Sequence, residues 1–190
     1  GMLSDTRDDA LKHPLIPQRQ RCLAFSIFKP EKTMTFTLTS PTLTDNATLP
    51  LAHVHTDAGG QNHSPELHWT NPPAGTKSFA LSCYDPDAPT GSGFWHWYII
   101  NLPAALHSLP ANAAAQLPAG ARHARNDYGD YNYGGACPPP GHGAHRYIFT
   151  IHALDCDHLE LPEDVTTARV GFNVWAHSLG SASLTGTFGR

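Results

Sequence analysis

Residues 82–103 read SCYDPDAPTGSGFWHWYIINLP, and the fold turns on them. Upstream, Lys77 to Tyr84 alternate Phe79, Leu81 and Cys83 with Ser78, Ala80, Ser82 and Tyr84, the two-residue period of a strand. Downstream, Trp95 to Leu102 is rich in aromatic and β-branched residues and predicts a second strand. Between them, Asp85-Pro86-Asp87-Ala88-Pro89 carries two prolines, each fixing its own φ and biasing the residue before it toward extended backbone. Extended backbone points residues i and i+2 the same way, so Asp85 and Asp87 are expected to face one spot. Thr90-Gly91-Ser92-Gly93 then turns the chain, and Phe94, Trp95, His96 and Trp97 follow. A stiff carboxylate loop opposite aromatics and a histidine makes a polar pocket with an apolar wall. The same residues also serve as plain turn formers, since Asp side chains readily cap their own backbone amides.

At 190 residues the chain fits one domain with room for a substantial core. Sixteen glycines and 17 prolines against only 15% charged residues indicate a compact, turn-rich β protein. The net charge of -4 comes without a Lys/Arg cluster, which leaves nucleic-acid or membrane-surface binding without electrostatic support. No apolar run approaches the ~20 residues of a membrane-spanning helix. Gly1-Met2-Leu3-Ser4-Asp5 does not read as a secretory signal, because acid comes early and no apolar core follows. Cys22, Cys83, Cys137 and Cys156 lack CxxC spacing, so a reducing, cytoplasmic setting is expected. A Cys83–Cys137 disulfide stays open if their loops converge.

Residues 1–33 mix charge and proline around one short apolar run, Cys22 to Phe28, and are expected to be a flexible extension, with Gly1 a tag remnant. A single domain is expected over residues 34–190, opening with the alternating Met34 to Thr39. His53-Val54-His55 would set two imidazoles on one face, but zinc wants three or four ligands and no third lies nearby in sequence. No metal or cofactor is assigned. Glu66 to Thr70 predicts a short strand, and Ala104 to Ala121 a surface excursion with at most a turn or two of helix.

The second informative stretch is residues 126–154, NDYGDYNYGGACPPPGHGAHRYIFTIHAL. Its glycines are expected to leave backbone amides open to a ligand, while Pro138, Pro139 and Pro140 stiffen the loop. His145 to Leu154 predicts a strand with His145, Tyr147, Phe149 and Ile151 on one face, which sets His145 at a strand mouth beside that loop. Imidazole and loop amides suit a phosphate or carboxylate; the plainer reading of His145 is a hydrogen-bonded edge histidine. Leu161-Pro162-Glu163-Asp164 predicts a helix start, with Val165, Ala168, Phe172, Trp175, Ala176 and Leu179 as its apolar stripe. Trp175 is expected in the core, Gly180 at the C-cap, and Ala182 to Phe188 in a last strand or extended tail.

Together these motifs resemble the phosphatidylethanolamine-binding protein family, and most closely its bacterial YbhB/YbcL, Raf-kinase-inhibitor-like branch. The resemblance rests on Asp85-Pro86-Asp87-Ala88-Pro89, Trp95-His96-Trp97 running to Asn101, Gly135-Ala136-Cys137-Pro138-Pro139 and His145-Arg146-Tyr147. Ser64-Pro65-Glu66-Leu67 with Trp69, and Leu184 to Arg190, fit as well. The resemblance covers about Met34 to Arg190 and implies a mainly β fold: a large central antiparallel sheet, a smaller sheet packed on it and a C-terminal helix. It also implies a small anion-binding pocket formed by Asp85, Asp87, His96, Cys137, Pro138, Pro139, His145 and Tyr147. Cys137 stands where many eukaryotic members have Gly, and Phe188 where Tyr is common.

Two classes of function follow. In the first, a non-catalytic binding protein takes a small anionic or zwitterionic phospho-ligand, such as phosphoethanolamine or a phospholipid head group, and modulates a protein partner such as a kinase or protease. Asp85 and Asp87, with Trp95 as a cation–π face, would then meet an ammonium, and His96, His145 and the Gly134 to Cys137 amides a phosphate. Alternatively the carboxylates orient the histidines. In the second class, a hydrolase uses Asp85 or Asp87 with His145, or Cys137 activated by His145, although no nucleophile motif supports it. A third reading has the protein act through its surface alone, as a homodimer.

Overall fold

The structure, a computed structural model, describes residues 34–190. The expected flexible extension and Cys22 lie outside the described residues. In chain order come β1 (Thr37–Thr39), β2 (Ala47–Thr48), β3 (Leu67–Thr70), β4 (Ser78–Asp85), β5 (Phe94–Pro103) and β6 (Ser108–Leu109). There follow β7 (Arg122–His123), β8 (His145–Leu154), the helix α1 (Thr167–His177) and β9 (Ser178–Phe188). The long strands pair in a six-stranded sheet of order β2-β9-β8-β4-β5-β7, antiparallel except for the short β2–β9 pair. A small antiparallel sheet, β1-β3-β6, packs on one of its faces. This is the mainly β, two-sheet architecture expected from the sequence.

Alternation in β4 explains the layering. Phe79, Leu81 and Cys83 enter the core between the sheets with Trp69, Trp97, Ile99 and Phe149. Ala80 points the other way, into a second core with Tyr98, Ile100, Val170 and Val174 beneath α1. Both faces of the strand are thus covered, which is why even its serines, Ser78 and Ser82, are buried.

Helix α1 corrects the sequence reading. Thr166 caps it, its hydroxyl accepting the Arg169 N–H at 3.3 Å, so Glu163 and Asp164 precede the helix. Its buried stripe is Thr167, Val170 and Val174, while Phe172 is 65% and Trp175 73% exposed. Trp175 is therefore not core. The helix runs straight into β9, and Gly180 lies within that strand, where a Cβ would press on Pro73 at 3.1 Å, rather than at a C-cap.

His53 and His55 do not share a face. His53 closes a 3-10 turn, buried between the Thr42 hydroxyl and the His63 carbonyl, whereas His55 caps the next turn by accepting the Asp57 N–H. Cys83, Cys137 and Cys156 are free thiols, so the Cys83–Cys137 disulfide does not form. Among the described residues, no helix is long and apolar enough to cross a membrane.

Candidate functional site

Antiparallel register brings the end of β4 beside the start of β5, with Asp85 opposite Phe94, while β8 pairs along the other edge of β4. A cavity of about 210 Å³ opens at this corner. Asp85, His96, Cys137, Pro138, Pro139, His145 and Tyr147 line it, seven of the eight site residues expected from the sequence. Phe94, Tyr128 and the Ala88-Pro89-Thr90 segment complete the wall.

Asp87 is the exception. Asp85 Oδ1 accepts the Asp87 N–H at 2.7 Å, closing a turn in which the two carboxylates part company. Asp87 instead takes the Arg146 guanidinium in a fork, Nη2 to Oδ1 at 2.8 Å and Nε to Oδ2 at 3.0 Å, and the Arg146 backbone N–H at 2.9 Å. The hydrogen-bonded Arg146 holds the Asp87 carboxyl down at about 2. This ion pair faces solvent and does not line the cavity.

The polar floor is a relay of three side chains. Asp85, 2% exposed, receives His145 Nδ1 on Oδ2 at 2.6 Å, and His145 Nε2 lies 2.6 Å from His142 Nδ1. With His145 Nδ1–H donating to the carboxylate, its Nε2 is left to accept from His142 Nδ1–H. Both Asp85 oxygens are thereby engaged: the carboxylate orients His145. His142 sits on the exposed 141–143 turn, and its role was not read from the sequence, where a loop histidine between two glycines carries no spacing signal.

His96 reaches the cavity through a β-bulge. In the β4–β5 register Cys83 faces Trp97 and Tyr84 faces Trp95, leaving His96 as the extra residue. Its Nδ1–H donates to the Gly134 carbonyl at 2.8 Å, so Nε2 is its remaining polar atom. Burial lowers its pKa, against the raising effect of that carbonyl, and favours the neutral ring. The bulge also turns Trp95 to the opposite face, against Tyr84 and Tyr98, so the expected cation–π wall is not formed by Trp95. Phe94 and Tyr128 stand there instead, edge to face at 4.8 Å.

The glycine loop works by close approach rather than by open amides. Gly134 N–H donates to the His96 carbonyl at 3.0 Å and Gly135 N–H to Asn62 Oδ1 at 2.7 Å, so neither is free for an anion. A Cβ on Gly134 would overlap the Tyr128 ring, and one on Gly135 would lie 2.6 Å from the His53 carbonyl oxygen. Arg190 buttresses the proline segment, its Nε donating to the Pro138 carbonyl at 2.7 Å and its Nη2 reaching Cys137 Sγ at 3.6 Å.

One group is left over. Among the described residues, the Tyr147 hydroxyl is buried without a hydrogen-bond partner, on a side chain that lines the cavity. An orphaned donor of this kind costs about 1–3 kcal/mol unless something meets it.

A two-sheet β fold with a small histidine-floored pocket at one strand mouth defines a class, and comparison with known proteins agrees with it. The phosphatidylethanolamine-binding protein family model matches residues 39–189. Escherichia coli YbhB is 50% identical over 156 residues, covering 80% of this chain and 98% of the relative. The crystal structure of Escherichia coli YbcL, described as a new member of the mammalian PEBP family, superposes with a TM-score of 0.79 at 40% identity, over 82% of this chain and 98% of that one. The Chlamydia trachomatis PEBP homologue CT736 gives 0.70 at 28% identity, over 82% and 97%. The chain belongs to the phosphatidylethanolamine-binding protein family, on its YbhB/YbcL branch.

Proposed function

We propose that this chain is a non-catalytic binding protein whose pocket takes the phosphate of a small phosphorylated ligand, phosphoethanolamine or the equivalent phospholipid head group. The observation that carries the reading is the partnerless Tyr147 hydroxyl at a cavity it shares with His96 and His145, while the Asp85 carboxylate and the Tyr128 hydroxyl on the same wall are already hydrogen-bonded within the protein. A phosphate monoester carrying one proton matches that set. Its oxygens accept from Tyr147, and its P–OH donates to His96 Nε2 or to His145 Nε2 once His142 gives way; a phospholipid head group, a diester without a P–OH, would be met through Tyr147 alone. Asp85 would repel a bare dianion, but with His145 between them the proton-bearing imidazole separates the two charges. Phe94, Pro138 and Pro139 supply the apolar rim that an alkyl or acyl extension would cross.

A hydrolase is less well supported. The Asp85–His145 couple ends on an imidazole, where a catalytic relay would present a hydroxyl or thiol, and Cys137 sulfur is in contact with Arg190. A protein partner such as a kinase or protease, meeting the rim around the cavity, belongs to the same proposal.

The test is an NMR titration of 15N-labelled protein with phosphoethanolamine and, in parallel, inorganic phosphate. Shifts gathered at residues 85–96 and 133–147 with both titrants support phosphate recognition, and Tyr147→Phe should weaken binding about two- to tenfold. No shift at millimolar ligand overturns the proposal. Turnover of a phosphoester that is lost in His145→Ala would replace it with the hydrolase.

A further inference from the structure

The second cluster of reactive side chains lies at the other end of β8. Asp155 and Cys156 follow the strand directly, and His177 is the last residue of α1. A ten-residue strand separates this point from His145 by about 30 Å, so nothing here depends on the ligand pocket. His177 Nδ1 lies 2.8 Å from Asp155 Oδ1, and one ligand atom from each of Asp155, Cys156 and His177 lies within 4.8 Å of the others.

The plain account is a surface ion pair between His177 and Asp155, worth little by itself. It does not explain why a thiol is presented to the same point. The backbone fixes all three positions: Asp155 N–H donates to the His177 carbonyl at 3.0 Å, and the Ser78 hydroxyl donates to the Cys156 carbonyl at 2.6 Å. We propose that Asp155, Cys156 and His177 form a binding site for a zinc-type divalent cation.

Size and chemistry both fit. Metal–ligand bonds of about 2.0–2.3 Å in a tetrahedron place ligand atoms about 3.3–3.6 Å apart, within the 4.8 Å spread but wider than the 2.8 Å His177–Asp155 hydrogen bond, which the cation would replace, releasing its proton to solvent. Thiolate and imidazole with one carboxylate select zinc, or cobalt as its probe, over magnesium and calcium, which want oxygen alone. Three protein ligands leave the fourth position to water. A bound dication would deprotonate the Cys156 sulfur and offset the carboxylate charges of Asp155 and Asp157 beside it. The cation would staple the end of α1 to the end of β8.

The full chain, reduced and freed of metal by chelation, is titrated with Co²⁺. A thiolate-to-cobalt charge-transfer band that persists in Cys22→Ser and Cys137→Ser, vanishes in Cys156→Ser and is reversed by Zn²⁺ supports the site. His177→Ala should weaken cobalt binding at least about tenfold, as even residues that only support metal ligands do. No thiolate band at millimolar cobalt, or a band that survives Cys156→Ser, overturns the proposal. Should Cys156→Ser fail to fold, Asp155→Asn and His177→Ala decide, since both side chains are about half exposed; unchanged cobalt affinity in both overturns it.

Discussion

His142 donates its Nδ1–H to His145 Nε2, the atom a ligand would also want. The loop histidine therefore competes with the ligand, and His142→Ala should tighten phosphate binding. Losing a competing hydrogen bond worth about 0.5–1.5 kcal/mol corresponds to about two- to tenfold in Kd, read by calorimetric titration. Asp85→Ala acts in the opposite sense. It leaves His145 Nδ1–H buried without an acceptor, at a cost of about 1–3 kcal/mol in urea denaturation, and frees the ring to leave its binding orientation. Tyr147→Phe separates binding from stability: the protein should be as stable as the wild type or slightly more so, because an unmet buried hydroxyl is removed, while phosphate affinity falls.

At the scale of elements, α1 offers the cleanest contrast. Val174→Ala removes methyls from the core beneath the helix and should cost roughly 1–3 kcal/mol, whereas Trp175→Ala, at an exposed position, should stay within about 0.5 kcal/mol. Urea denaturation of both variants checks this. Periodicity did not choose between the stripes, since Val170 and Val174 recur with the same helical spacing as Phe172, Trp175 and Leu179. A sheet face on one side of the helix settles the phase, and that face is assembled from residues distant in sequence. The strands were legible because alternation is local: β4, β5 and β8 stand within a residue or so of where the residue pattern puts them. The pocket was legible for the same reason, as Asp85, His96 and His145 all sit at strand ends. What escaped was cross-chain. Asp87 leaves the site because a turn and a strand neighbour, Arg146, claim it, and Trp95 leaves because His96 is an extra residue in the β4–β5 ladder.

For the whole molecule, the histidines set how stability responds to acid. Desolvation holds His123 and His152 down at about 4, and His123 Nε2 also accepts the Trp97 indole N–H at 3.0 Å, which a protonated ring could not do. The unfolded chain protonates these rings near 6.5, so between about pH 6.5 and 4 it takes up protons that the folded chain refuses. Their contribution is thus complete above pH 6.5 and is lost as pH falls toward 4. The slope is at most about 1.4 kcal/mol per pH unit for each ring, and less for their partial exposure. Urea midpoints at pH 7, 5.5 and 4.5 should decline accordingly, and His152→Gln should flatten the decline. The Asp87–Arg146 pair outlasts this window, because its carboxyl titrates only between its ordinary 3.8 and about 2.

The bulge at His96 also decides which instruments will see this protein work. By turning Trp95 away, it leaves none of the four tryptophans on the pocket wall: Trp69 and Trp97 are sealed in the core between the sheets, and Trp175 stands in solvent. Intrinsic fluorescence should accordingly report unfolding strongly and acrylamide quenching at Trp175 readily, yet remain almost dark to a ligand entering the pocket. A Phe94→Trp variant would place an emitter on the pocket wall and turn occupancy into light.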